Sequence, residues 1–113
     1  MRRLYNLGRF KEAITLCTRL LKEAKGSYFL WNLMGASYVA IGNRQNGLTC
    51  FLQAVALNPN YADAHNNCGT ILKAMGRLSE AQVHYKRAIL IDQDFPDAHV
   101  NLGALLHDLG NSE

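Results

Sequence analysis

Glycine recurs at Gly8, Gly42, Gly76 and Gly110, each 34 residues after the last, and a second series, Gly35, Gly69 and Gly103, keeps the same interval. Two ladders with one period restrict the chain to a stacked repeat, because each unit of that size is a single supersecondary element that must bury its apolar face on its neighbours. Other positions keep the register: Ala13 with Ala81, Ala54 with Ala88, and Phe51 with Tyr85. Apolar residues between the glycines follow helical spacing, as in Trp31, Met34 and Tyr38 or Ala81, Tyr85, Ala88 and Ile89. Each unit therefore reads as helix A, a turn and helix B. The pattern predicts A helices near 28–41, 62–75 and 96–109 and B helices near 9–24, 44–57 and 78–91.

The first glycine series follows A helices, where positive φ is commonly needed and glycine supplies it without a steric penalty. Pro59 and Pro96 stand where one helix stops and another starts. The second series lies inside helices, where glycine costs up to about 1 kcal/mol against alanine. Close approach of paired helices is the expected compensation, with Trp31, Tyr38, Phe51 and Tyr85 filling the space between hairpins. At 113 residues and 49% apolar content, one all-α domain over 1–113 is expected, an antiparallel helix-hairpin solenoid. Its parts are a partial repeat at 1–27 (the end of a helix A plus a helix B), full repeats at 28–61 and 62–95, and a last helix A at 96–113. The period is thus cut within a repeat at both ends.

Charge is uneven. Residues 1–25 hold seven Lys or Arg against two Glu, and the remainder holds five against seven acids. The basic residues are spread around a helix without a nucleic-acid reader motif, so they read as a solvated face and neither nucleic acid nor membrane is an expected partner. Cys17, Cys50 and Cys68 are odd in number and unpaired in spacing, which points to reduced thiols and a cytoplasmic setting. Neither a signal peptide nor an apolar run of membrane-spanning length is present in the sequence.

The segment Trp31-Asn32-Leu33-Met34-Gly35-Ala36-Ser37-Tyr38, followed by Gly42, Phe51, Ala54 and Pro59, resembles the tetratricopeptide repeat signature over essentially the whole chain. Departures are Gly47 where Ala13 and Ala81 stand, His65 and His99 for Trp31, Cys17 for the aromatic, and Gln93 for Pro59. The resemblance implies a concave face lined by A helices that holds an extended or helical peptide. On it would lie Phe29, Asn32, Leu33, Ala36 and Val39, then Asp63, Asn66, Asn67, Thr70 and Lys73, then Asp97, Val100, Asn101, Ala104 and His107.

One branch of the family grips chaperone C-terminal carboxylates with basic residues and asparagines. Asn67 and Asn101 match parts of that clamp, but Asp63 and Asp97 oppose it. The segment from Asn58 to Asn67 and its echo from Phe95 to Gly103 are closer to the repeats of O-linked N-acetylglucosamine transferases and related bacterial proteins, which carry an asparagine ladder. An asparagine amide pairs with both N–H and C=O of a peptide backbone, whatever the side chains. Leu33 shortens the ladder.

Catalytic chemistry finds no support in the residues. His65 and Cys68 share a helical face and His99 lies on the next A helix, but no fourth zinc ligand is evident, and Cys68 fills the core slot of Met34 and Leu102. The histidines read as core or half-buried structural groups. Ser27, Ser37, Ser79 and Ser112 lack nucleophile context, the glycines have no phosphate-loop spacing, and Glu12 and Glu80 read as helix-surface acids. No enzyme activity, cofactor or metal is expected. The expected function is a protein-interaction scaffold; the alternatives are an accessory substrate-positioning region of a larger transferase, and self-association through a last helix presenting Leu102, Leu105, Leu106 and Leu109.

Overall fold

A computed structural model describes the backbone of residues 2–111 and the side chains of residues 8–110. The side chains of Arg2 and Arg3, and Ser112 and Glu113, lie outside the described residues. Six helices and no strands occur among them: α1 (Arg2–Leu21), α2 (Tyr28–Ala40), α3 (Arg44–Leu57), α4 (Ala62–Ala74), α5 (Leu78–Ile91) and α6 (Pro96–Asn111). The helical-hairpin repeat read from the glycine spacing is the observed architecture, with α2 and α4 as A helices and α3 and α5 as their B partners.

The turns explain how the hairpins close. Gly42 has φ +89° and Gly76 φ +80°. At the first, Gly42 N donates to Val39 O at 3.0 Å and Asn43 N to Tyr38 O at 2.9 Å; at the second, Gly76 N donates to Lys73 O at 3.0 Å and Arg77 N to Leu72 O at 2.8 Å. This paired bonding satisfies helix-end carbonyls and needs a left-handed residue, a conformation other side chains resist. Ser27 and Asn43 cap α2 and α3 by accepting from Leu30 N and Asn46 N. The α5 N-terminus has no such cap; there Arg77 clasps Glu80 through two hydrogen bonds of 2.9 and 2.7 Å.

Gly8 and Gly110 depart from the expected pattern. Both lie within helices, and α1 is one continuous helix where the sequence reading has the end of a helix A, a turn and a helix B. Continuing through the glycine satisfies its backbone groups at a propensity cost of about 1 kcal/mol.

The chain divides into two compact units, one up to Pro59 and one from Asn60 onward. In the first, α1 packs on α2 and α2 on α3. Its core joins Cys17, Leu21, Met34 and Cys50, with Ile14, Leu30, Trp31 and Tyr38 packed against them. In the second, α4 packs on α5, α5 on α6, and α4 touches α6. Ala64, Cys68, Ile71, Leu72, Ala81, Tyr85, Ala88, Ala98 and Leu105 are buried there.

Gly35 and Gly69 show why the mid-helix glycines are tolerated. A Cβ on Gly35 would lie 2.7 Å from the Phe51 ring, and one on Gly69 2.7 Å from the Tyr85 ring. Gly103 differs, since nothing lies within 4 Å of its Cβ position.

Candidate peptide-binding face

In the second unit, the expected ligand positions of α4 and α6 divide into a tied group and an exposed group. Asn66 is only 8% exposed, and its side-chain oxygen accepts from Asn101 Nδ2 at 3.1 Å. Thr70 Oγ1 donates to the Asn66 carbonyl at 3.0 Å and itself accepts from Tyr85 Oη at 3.1 Å. Asn66 therefore faces inward and holds the half-buried Asn101 in place. Asn67 is half-buried, and Thr70 is exposed. Lys73 pairs with Asp108 at 3.6 Å, a half-open ion pair that contributes little to stability.

Asp63 and Asp97 are exposed in the first turns of α4 and α6, where a carboxylate is favoured by the helix dipole. His107 is exposed on α6. In the first unit, α2 presents half-buried Asn32 and exposed Ala36, with Phe29 59% and Leu33 42% exposed. That stretch is apolar, whereas the α4–α6 face is amide- and carboxylate-rich.

Two groups went unnoticed in the sequence. Asp108, the partner of Lys73, lies 35 residues away, on a helix whose pairing periodicity alone does not give. The other is His84. His65 is 7% exposed, and its Nδ1 lies 3.2 Å from His84 Nδ1, with ring centroids 5.4 Å apart. The centroid separation exceeds the nitrogen separation by about one ring width, so the two nitrogens lie on the line between the rings. That is the geometry of one N–H···N bond and not of two lone pairs converging on a metal beside them. Burial, then the charge of His65, holds His84 below the usual histidine range. The available signal was that both positions become histidine together, replacing Trp31 and Cys50 of the preceding repeat.

Some expectations need correction. His99 is exposed instead of half-buried, because no described helix covers its side of α6; its Nε2 bonds the Gln93 carbonyl at 2.8 Å. Of the four leucines expected to be open on α6, Leu105 is fully buried, Leu102 and Leu109 are half-buried, and only Leu106, at 46%, is exposed. Contacts of α6 with α5 and α4 cover the others.

The thiols are buried. Burial raises the pKa of Cys17, pushes that of Cys50 to about 11 with help from Cys17, and pushes that of Cys68 to about 12, which keeps thiolate scarce at neutral pH. Among the described residues, no three His, Cys, Asp or Glu side chains gather as metal ligands, and no helix is long and apolar enough to cross a membrane.

The chain matches the family model described as TPR repeat at residues 35–76 and again at 69–110. It is 35% identical over 71 residues to the protein O-mannosyl-transferase TMTC3 of Homo sapiens, with the same figures for the Mus musculus protein. That stretch is 63% of this chain and 8% of the relative. Among solved structures, the first TPR of Spaghetti (RPAP3) bound to the HSP90 peptide SRMEEVD is similar with TM-score 0.88 and 22% identity, over 96% of this chain and 86% of that one. The second TPR domain of human RPAP3 with the HSP70 peptide SGPTIEEVD has TM-score 0.82 and 22% identity, over 89% and 84%.

Proposed function

Because the chain belongs to the tetratricopeptide repeat family, we propose that it is a non-catalytic scaffold that holds an extended peptide segment on the A-helix face expected to be concave. The observation that carries this reading is the Asn101–Asn66 bond. It uses one N–H of the Asn101 amide and orients the rest, so the carbonyl oxygen and the second N–H are available to a peptide backbone. Asn67 is the neighbouring contact, and Asn66 positions Asn101 without touching the ligand. Ordering a donor and acceptor before binding reduces the entropy lost on association.

The two similar structures hold peptides ending in Glu-Glu-Val-Asp. Asp63, Asp97 and Asp108 disfavour such an acidic segment here, and Lys73 is already paired. The proposed ligand is a neutral or basic peptide whose main chain is read more than its side chains. Titration of labelled peptides of both charges tests this. Neutral or basic peptides should bind more tightly, and Asn67→Ala with Asn101→Ala should weaken them about tenfold with the helical signal intact. Unchanged affinity in the double variant would remove the asparagine mechanism.

A second reading is favoured by the match to an O-mannosyl-transferase: an accessory region that positions the protein substrate of a larger transferase. Deleting these repeats from the whole reading frame should then impair transfer to a protein acceptor more than to a short peptide. Equal loss on both acceptors would overturn it.

A further inference from the structure

We infer that the outward face of α5 is a second docking surface, suited to a short acidic amphipathic helix of a partner protein. Val83 and Leu90 carry it. They are 62% and 71% exposed and stand seven residues apart, about 10 Å along the axis on one line. Ala81, Tyr85 and Ala88, which close the hairpin, are buried and lie on the opposite side of the same helix. The helix is therefore apolar twice, once toward its core and once away from it.

The face is open by register. One repeat earlier the same positions are Thr49 and Ala56 on α3, and two repeats earlier Thr15 and Lys22 on α1; all four are exposed. Helices precede and follow α3 in the chain, and it still leaves these positions uncovered. Among these three helices, α5 alone sets two large apolar side chains at sites that otherwise hold polar or small ones. Lys86 and Arg87, both exposed, flank the line, about 60° to one side and about 40° to the other. Their alkyl stems widen the apolar strip, and their charges border it.

Charge selects the occupant. The ion pairs among the described residues, Lys73 with Asp108 and Arg77 with Glu80, engage neither Lys86 nor Arg87. Glu80, at the start of the strip, is already clasped by Arg77 at 2.7 Å. Two cations thus border an apolar line, the complement of a helix whose apolar seam is flanked by acids. The spacing suits a helix laid along α5, because helices crossing at a shallow angle meet in repeats of about seven residues. An anionic membrane fits less well. Asp92 and Asp94 follow α5 directly and repel an extended negative surface, whereas a helix can set its acids over the middle of α5 alone. The strip shares no residue with Asn66, Asn67 and Asn101, so it stands apart from peptide binding on the A helices.

NMR titration of the isotope-labelled 113-residue chain tests the inference. The probes are a capped synthetic helix with leucines on one face and glutamates flanking them, its counterpart with lysines for the glutamates, and a scrambled form of the acidic peptide. The acidic helix should bind at least about tenfold more tightly than either control and should shift the amides around Val83, Lys86, Arg87 and Leu90. Val83→Thr with Leu90→Ala gives α5 the residues that α3 carries, so the fold should persist while binding weakens at least about tenfold. Lys86→Glu with Arg87→Glu should reverse the preference toward the lysine peptide. Asn67→Ala with Asn101→Ala should leave binding of the acidic helix unchanged, which separates this surface from the A-helix face. An acidic helix bound no more tightly than its controls, or bound equally by the folded Val83→Thr, Leu90→Ala chain, would overturn the inference. So would co-sedimentation with phosphatidylserine-containing vesicles that is lost in that same variant, since it would assign the strip to a membrane.

Discussion

In the α2–α3 hairpin, Trp31 packs against the cluster containing Cys50; in the α4–α5 hairpin the same two positions are His65 and His84, joined at 3.2 Å. The substitution recurs at two other contacts. Ala36 and Phe51 become Thr70 and Tyr85, whose hydroxyls bond at 3.1 Å. Val39 and Gly47 become Lys73 and Ala81: a Cβ on Gly47 would lie 2.6 Å from Val39 Cγ2, so the branched side chain occupies the space an alanine needs. The two hairpins have the same backbone plan but close on different chemistry, one apolar and one hydrogen-bonded. Changes occur in facing pairs because a buried polar group left alone costs about 1–3 kcal/mol, whereas a satisfied pair is tolerated. The apolar hairpin has one lapse: the Trp31 indole N–H is buried without a protein acceptor.

The comparison breaks most severely at the aromatic rings. Phe51→Ala and Tyr85→Ala should each cost about 3–5 kcal/mol in urea unfolding, since both rings are at most 2% exposed and fill a glycine notch. A loss well below that at either site would mean that its hairpin closes without the ring. Gly47→Ala should cost about 1–3 kcal/mol by overpacking against Val39, and Val39→Ala in the same chain should recover most of it. Additive effects in that double-variant cycle would remove the proposed exchange between the two positions. Tyr85→Phe, which makes the second hairpin like the first, should cost about 1 kcal/mol because it removes one hydrogen bond while keeping the ring.

The histidine pair predicts a smaller, pH-dependent difference. The folded state holds His84 below its ordinary value of 6.5, so the unfolded chain binds the proton more readily. Stability should be unaffected by this group well above pH 6.5 and should fall as pH drops through and below it. Glu80 works against that shift and Arg87 with it. A line N–H···N bond holds one proton between the rings, and a second proton sets two N–H groups against each other. Urea midpoints measured down the acid side should therefore fall less in a chain carrying His65→Trp with His84→Cys, the residues of the first hairpin. Equal pH profiles would assign the acid sensitivity elsewhere.

Much of the helix plan was legible before any coordinates. Gly42 and Gly76 marked turns, Gly35 and Gly69 marked close approach, and Cys68 was placed in the core by its register with Met34. The same rule failed at Gly8 and Gly110, which lie inside helices. For the candidate face, the sequence marked Asn66, Asn67 and Asn101 as candidates, but not that Asn66 turns inward to hold Asn101.

By itself, then, the sequence determined the repeat length, the A–B hairpins α2–α3 and α4–α5 and the need for small residues at Gly35 and Gly69, since all of these follow from periodicity along one chain and from contacts three or four residues apart. Only the tertiary structure decided that His65 meets His84, that Lys73 meets Asp108 and that Leu105 is covered while Leu106 is not. Each of those depends on how one helix is rotated and set down on another. A shift of one position around a helix moves a side chain by about 100°, enough to exchange a buried contact for an exposed one while leaving the hydrophobic pattern unchanged.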